Sequence, residues 1–360
     1  MPIDSFVDHR LDPAAWAHSL GVSKEACALV LDADLIDLHI DTEDACLMFG
    51  YDPAKRHRGL KNGTPFFGQV DFPRLLEGSY TGVVWDLTAN PLIGAGRRRE
   101  RMLGNLAAAA ERIEAYPERL RLVRTAADYR RARAEGKLAF WLSVQGGNAF
   151  ACGLEDLDRI PRDLVCRVTL VHLTNSQLGG TSSPLRLRAR GLSGYGRQFV
   201  EALQERRILV DLAHIHPRGF WDALETADPR WPVIVSHTGV NGVRPYWRNL
   251  DDRQIRAVAD RGGVVGIIYH RQFLEPGFWW RCRVDRVADH LEHIVRVGGE
   301  DVAALGSDYD GSIVPPRGLA DPTEQPRLVQ KLLDRGFSEG RIRKILGTNW
   351  LRVLEAVRPG

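Results

Sequence analysis

The sequence predicts a (β/α)8 barrel, also called a TIM barrel. Its 360 residues are enough for one large core. Eight short apolar runs without polar alternation are typical of strands buried on both faces. Most of these runs are separated by segments whose apolar residues recur at the spacing of a helix. Strands that alternate with helices in this way are typically parallel. No linker or low-complexity segment interrupts this pattern. We therefore predict a barrel over residues 35–360, with a helical extension of residues 1–34 packed on it.

The elements are predicted in chain order. Asp12 and Pro13 are typical of an N-cap and a first helical position, and a second short helix is predicted over residues 24–31. The eight strands are predicted over residues 35–41, 82–87, 138–144, 167–172, 208–212, 232–235, 263–269 and 302–305. Further helices are predicted over residues 98–116, 126–135, 197–206, 217–226, 339–346 and 349–357. Long loops are predicted over residues 51–68, 174–195 and 315–326, and loops of this length are usually lids or binding segments.

Composition argues against several classes of protein. The net charge of +3 is too small to indicate a nucleic-acid partner, and the arginine-rich run at residues 97–101 is interpreted as a solvated helix face. The five cysteines are odd in number and lack a CxxC pair, which favours free thiols in a reducing compartment. No apolar stretch is long enough to cross a bilayer or to form a signal core. We therefore expect a cytoplasmic protein with no membrane and no nucleic-acid partner.

Polar side chains stand at the carboxyl ends of the predicted strands. His39 and Asp41 are two residues apart at a strand end, so their side chains point the same way, and this mixture of nitrogen and oxygen suits zinc or another first-row dication. His214 and His237 follow two successive strands. The other exits carry Asp86, Gln145, His172 and Asp308. Each residue alone is better explained as an ordinary strand end, but together they predict a metal-dependent site at one mouth of the barrel.

Several motifs carry a resemblance to a known family. They are DLHID at 37–41, TLVHLTN at 169–175, GLSGYG at 191–196, VDLAH at 210–214, SHTGV at 236–240, WRNLDD at 247–252, GSDYDG at 306–311 and GTNWLRVL at 347–354. In this order and spacing the chain resembles the membrane (renal) dipeptidase family of zinc peptidases, from about residue 35 to its end. The resemblance implies an amidohydrolase-like barrel and metal-dependent hydrolysis of dipeptides.

The resemblance also implies roles for individual residues. One zinc would be bound by His39 and Asp41, and a second by His214 and His237, with Gln145 at the position of a bridging ligand. The implied catalytic residues are Asp308, as a proton shuttle, and His172, which steadies the developing oxyanion. The implied substrate-binding residues are Arg248, for a terminal carboxylate, His172 and Tyr269. The residue types suit these tasks, because imidazole and carboxylate bind dications and a guanidinium binds a carboxylate through paired hydrogen bonds.

Gln145 departs from the family, which carries glutamate at this position as a bridge between two metals. An amide offers one neutral oxygen and an NH2 group that repels a cation. Losing a bridging charge between two close cations weakens at least one metal site. The carboxylates of Asp86, Glu43 and Asp44 are alternative sources of compensating charge. We therefore expect one or two zinc ions, with the second site in question.

Three functions remain open at this point. The first is a metal-dependent hydrolase of a dipeptide or dipeptide-like amide, acting on a small peptide-like substrate with a free carboxylate. The second is a biosynthetic tailoring enzyme, including a non-hydrolytic one, that uses the same pocket on a peptide-derived metabolite. The third is a non-catalytic binding protein, against which the retention of metal ligands and a proton shuttle argues. A homodimer is compatible with all three.

Overall fold

The structure is a computed structural model that describes residues 2–58, 64–184, 188–275 and 281–360. The predicted loops at 51–68 and 174–195 therefore lie partly outside the described residues. The strands are β1 Ile36–Ile40, β2 Gly82–Thr88, β3 Leu120–Leu122, β4 Leu138–Gln145, β5 Val165–Thr169, β6 Leu209–Asp211, β7 Val233–Thr238, β8 Val265–Ile267 and β9 Ala303–Leu305. Every predicted strand is present, and the short strand β3 is additional.

The strands form a nearly closed parallel barrel, as predicted. The order around it is β1-β2-β4-β5-β6-β7-β8-β9, and β3 pairs with β4 outside this path. Within the described residues the pairs β4–β5, β5–β6, β6–β7 and β8–β9 are all parallel. Closure comes from an isolated parallel bridge between Ile40 and Tyr309, so the last strand returns beside the first.

Helices follow most of the strands. They are α1 Pro13–Leu20, α2 Lys24–Asp32, α3 Thr42–Phe49, α4 Phe72–Glu77, α5 Ala95–Glu114, α6 Ala126–Ala134, α7 Gly194–Glu205, α8 Pro217–Thr226, α9 Asp252–Asp260, α10 Arg271–Leu274, α11 Val284–Gly298, α12 Gln325–Asp334, α13 Glu339–Arg343 and α14 Asn349–Val357. A π-helical segment, Lys344–Thr348, joins the last two. Among the described residues no helix combines the length and the apolar character needed to cross a membrane.

Some element boundaries differ from the prediction. β5 ends at Thr169, so His172 lies in the following loop. The strand was predicted too long because the buried apolar run continues through Leu170 and Val171 after the strand has ended. β7 extends to Thr238, so His237 lies inside a strand. Pro326 was predicted in a loop but lies in the first turn of α12, where a proline has no intrahelical hydrogen bond to lose.

The chain divides into two compact units, each built from several segments. The first unit comprises residues 1–83, 237–256 and 265–350, and the second comprises residues 84–236, 257–264 and 351–360. In the first unit α2 packs against α1 and α12. The predicted separation of residues 1–34 as an extension of the barrel stays a prediction.

A buried ion triad lies in the second unit. The Arg167 guanidinium is 3.0 Å from Asp86 Oδ1 and 2.9 Å from Asp211 Oδ2, and all three side chains are fully buried. Ser143 and Thr169 donate further hydrogen bonds to the two carboxylates. Burial alone would raise the pKa of the Asp211 carboxyl, but the Arg167 charge and its hydrogen bonds hold that pKa below its ordinary value.

We predict that Arg167→Leu destabilises the protein severely. The substitution leaves two buried carboxylates without their counter-ion, which costs about 3–5 kcal/mol. Urea unfolding monitored by tryptophan fluorescence measures the loss. Arg230→Leu is the control, because Arg230 forms its ion pair with Asp228 at 84% exposure and such surface pairs contribute about 0–1 kcal/mol. Equal midpoints for the two variants would contradict the prediction.

Candidate active site

Three side chains of the first unit gather around the Nε2 atom of His39. This atom lies 3.3 Å from Asp41 Oδ1 and 3.3 Å from Asp308 Oδ1. The His237 ring stacks on the His39 ring with the centroids 3.8 Å apart. His39, His237 and Asp308 are buried and offer ligand atoms that lie within 4.8 Å of one another. The strand-end residues His39 and His237 therefore lie side by side.

The backbone closure between β9 and β1 brings these residues together. Asp308 N donates to His39 O at 3.0 Å, and Asp41 N donates to Tyr309 O at 2.9 Å. The carboxylate of Asp37 accepts from His39 N at 3.0 Å and from Ser307 N at 2.9 Å. Burial raises the pKa of the Asp37 carboxyl. Asp37 therefore links the two strand ends that carry the site.

The turn after β9 is held in a conformation that L-residues seldom adopt. Asp308, Asp310 and Ser312 have φ angles of 64°, 65° and 60°, and such left-handed residues cluster at functional sites because the surrounding contacts must impose them. The Asp310 carboxylate supplies such contacts, since it accepts from Thr42 Oγ1 at 2.5 Å and from Gln69 N at 2.7 Å.

The residues of this group fit a divalent cation. Gly311 lies so close to the two carboxylates that an added Cβ would overlap Asp308 Oδ1 and stand 2.7 Å from Asp41 Oδ2. The turn thus forms a cradle in which any larger residue at position 311 would displace a carboxylate. Two carboxylates and two buried imidazoles are oxygen and nitrogen donors of the kind that zinc and other first-row dications bind. A bound cation would also offset the repulsion between the carboxylates.

Arg248 lies in the loop that follows β7, in the same unit. Its side chain is buried, and its guanidinium donates to His237 O at 3.0 Å. The loop is fixed by His290, which accepts from Val240 N at 3.0 Å. Burial lowers the pKa of His290 to about 4, so its ring is neutral and able to accept at Nδ1. The hydrogen bond to His237 O places Arg248 beside the candidate metal-binding group.

Tyr269 is also buried in the first unit. Its hydroxyl donates to Gln325 Oε1 at 3.3 Å, and its ring meets Tyr309 edge-on at a centroid distance of 5.5 Å. Burial raises the pKa of its hydroxyl. These contacts are structural, and the implied contact of Tyr269 with substrate stays a prediction.

The second unit holds Gln145, His172 and His214. Gln145 is buried at the end of β4; its Nε2 lies 3.1 Å from His214 Nε2, and its Oε1 accepts from Thr88 Oγ1 at 3.1 Å. The rings of His172 and His214 meet edge-on with centroids 4.6 Å apart. The structure therefore brings these three predicted residues together and adds Thr88.

The backbone of His214 is held by a neighbouring loop. His214 has a φ of 63°. Its carbonyl oxygen accepts from Ser182 N at 2.8 Å and from Thr181 Oγ1 at 3.1 Å. The single hydroxyl proton of Thr181 is shared between this carbonyl and that of His172. Sequence reasoning missed Thr88, Thr181 and Ser182, because their role depends on contacts with residues distant in the chain.

Three acids were predicted as sources of the negative charge that Gln145 lacks, and the structure gives their positions. Asp86 belongs to the Arg167 triad. Glu43 and Asp44 lie in the first turn of α3, and Glu43 is buried. Compensation by any of the three stays a prediction.

Comparisons with known proteins agree with the fold. The family model described as membrane dipeptidase, peptidase family M19, matches residues 23–359. A curated relative, the uncharacterized protein in the pqqA 5′ region of Klebsiella pneumoniae, is 30% identical over 247 residues, which is 66% of this chain and 89% of the relative.

Two solved structures are also similar. The metallopeptidase "dipeptidase AC" of family M19 has a TM-score of 0.80 at 26% identity, over 91% of this chain and 99% of that one. A metallopeptidase from Rhodobacter sphaeroides, liganded with a phosphinate mimic of the dipeptide L-Ala-D-Ala, has a TM-score of 0.78 at 25% identity, over 90% and 99% of the two chains. The chain belongs to the membrane dipeptidase family and is a metal-dependent hydrolase.

Proposed function

We propose that the protein hydrolyses the amide bond of a dipeptide or dipeptide-like molecule with a free carboxylate, using a single zinc ion. The observation that carries this proposal is the spacing around His39, whose Nε2 lies 3.3 Å from one carboxylate oxygen each of Asp41 and Asp308. His39, Asp41 and His237 would hold the ion. A bound zinc ion would act as a Lewis acid and lower the pKa of water enough to make it nucleophilic near neutral pH.

Asp308 is the proposed carrier of the proton. Its carboxylate is almost buried and stands at the turn that the β9–β1 closure fixes. It takes the proton that the attacking water loses and delivers it to the leaving amine, as a general base and then a general acid. The fixed backbone keeps the carboxylate in one position for both transfers.

Arg248 and His172 are the proposed contacts to the substrate. The Arg248 guanidinium donates to His237 O, which holds it in place, and planar guanidinium groups bind carboxylates through two hydrogen bonds. His172 would donate a hydrogen bond to the oxyanion that forms on the scissile carbonyl. The dipeptide mimic bound by the Rhodobacter sphaeroides relative supports a substrate of this size.

One observation favours a second candidate function. Gln145 stands where the resemblance implies a bridging carboxylate, and its loss would change the metal chemistry from that of a two-metal dipeptidase. A tailoring reaction on a peptide-derived metabolite would keep the anion-binding arginine and the remaining metal group. A cytoplasmic location and a homodimer are kept as further proposals. Four of the five cysteines are buried and none of the five forms a disulfide.

We predict one tightly bound zinc ion per chain in protein purified without added metal. Removal of the ion by a chelator should abolish dipeptide hydrolysis, and one equivalent of zinc should restore it. Mass spectrometry of the metal and an amine-release assay with a dipeptide panel give the two measurements. Asp41→Asn removes an anionic ligand, so it should lower metal content at least tenfold at micromolar free zinc. Metal-free protein that hydrolyses dipeptides at the same rate would overturn the proposal, and metal-loaded protein inactive on the panel would favour the tailoring reaction.

We predict that Arg248→Ala raises KM at least tenfold for a dipeptide with a free carboxylate and changes it little for the corresponding amide, because only the carboxylate forms the paired hydrogen bonds. Steady-state kinetics on both substrates measure the difference. The control is Arg244→Ala, since Arg244 stacks over the Tyr246 ring at 5.2 Å. Equal losses on both substrates would indicate that Arg248 is structural.

We predict that Gly311→Ala lowers zinc affinity at least tenfold, because the new methyl group overlaps Asp308 Oδ1 and crowds Asp41 Oδ2. Isothermal titration of metal-free protein with zinc measures the affinity. Gly340→Ala is the matched control, since nothing lies within 4 Å of an added Cβ there. Unchanged affinity in Gly311→Ala would show that the turn moves freely and is not a cradle.

A further inference from the structure

We propose that Thr88, Gln145 and His214 form a hydrogen-bonded chain that occupies the metal-binding nitrogen of His214, and that Thr88 sets this arrangement by orienting the Gln145 amide. This inference rests on the proposed single-zinc function and explains it. The chain would make His214 a hydrogen-bond acceptor and not a metal ligand.

The hydrogen bond from Thr88 fixes the orientation of the Gln145 amide. Thr88 Oγ1 donates to Gln145 Oε1 at 3.1 Å, so the amide NH2 faces His214 Nε2, which lies 3.1 Å away. An amide NH2 has no acceptor capacity, so the facing imidazole nitrogen must accept. His214 is then the tautomer that carries its proton on Nδ1.

The arrangement is also rigid. Ala89 N donates to Gln145 O at 2.8 Å, which fixes the end of β2, with Thr88, beside the end of β4. Ser182 N and Thr181 Oγ1 hold the carbonyl of His214 at its left-handed φ of 63°. Both partners of the amide therefore have a fixed backbone, and His214 is not free to turn away from Gln145 by a backbone rotation.

The arrangement affects metal binding. A dication needs the lone pair of the imidazole nitrogen, and here that lone pair is directed at an amide hydrogen. The partial positive charge of the NH2 group also repels a cation. The residues around His214 therefore do not fit the second zinc that the family resemblance implied. Glutamate at position 145 would accept from Thr88 with one oxygen and turn the other, anionic oxygen toward His214.

The tautomer of His214 is the direct test. Metal-free protein with ¹⁵N-labelled histidine is studied by long-range ¹H–¹⁵N correlation, with His214→Gln used to assign the signal. Wild type and Thr88→Ser, which keeps the hydroxyl, should show only the Nδ1-protonated tautomer. Thr88→Val removes the hydroxyl at nearly constant volume, so the amide can turn over and a mixture of tautomers should appear. An Nε2-protonated His214 in wild type would overturn the proposal.

Zinc stoichiometry is the second measurement, and it stays decisive if Thr88→Val does not fold. Gln145→Glu should bind close to two zinc ions per chain, whereas wild type should bind one. Two tightly bound zinc ions in wild type, with the His214 signal shifted on the second addition, would contradict the inference. Neither readout uses dipeptide hydrolysis. An inactive wild type with the expected tautomer and one zinc would therefore reject the proposed substrate class and leave this inference standing.

Discussion

The closure of β9 onto β1 is the interaction on which the candidate metal-binding group depends. Two backbone hydrogen bonds, from Asp308 to His39 and from Asp41 to Tyr309, join the first and last strands of the barrel. They bring Asp308 next to His39 and Asp41, although more than two-thirds of the chain lies between Asp41 and Asp308. The buried Asp37 carboxylate strengthens this junction because it accepts from both strand ends. A parallel barrel can make such a site only if its ends meet in register.

The arrangement of these residues costs conformational and electrostatic free energy in the protein without a bound cation. Two carboxylates share the space around one imidazole, and residues Asp308, Asp310 and Ser312 have left-handed backbone angles. Each left-handed residue costs on the order of 1–3 kcal/mol, and the Asp310 hydrogen bonds to Thr42 and Gln69 help to offset that cost. The conformation makes sense as preparation for a cation, because a dication favours the same crowding of acids that the free chain disfavours.

The second unit contains the side chain on which the proposed single-zinc site depends, Gln145. Glutamate and glutamine have nearly the same shape, yet the amide reverses the polarity at one of its two terminal atoms. In this protein that atom faces His214, and the other faces Thr88. Family membership follows from the whole chain, whereas the proposed metal number rests on the contacts of these few atoms.

The sequence by itself determined the strands of the barrel, the family and the residue types of the site, because buried strands and short motifs are local patterns. Tertiary structure alone decided which atoms meet. The stacking of His39 on His237, the cradle at Gly311 and the contact of Thr88 with Gln145 join residues from separate strands and loops. His172 was predicted at a strand end because the apolar run before it is continuous, but the strand ends at Thr169 and His172 lies in a loop. Such contacts depend on distances between remote segments, and periodicity along a chain carries no information about those distances.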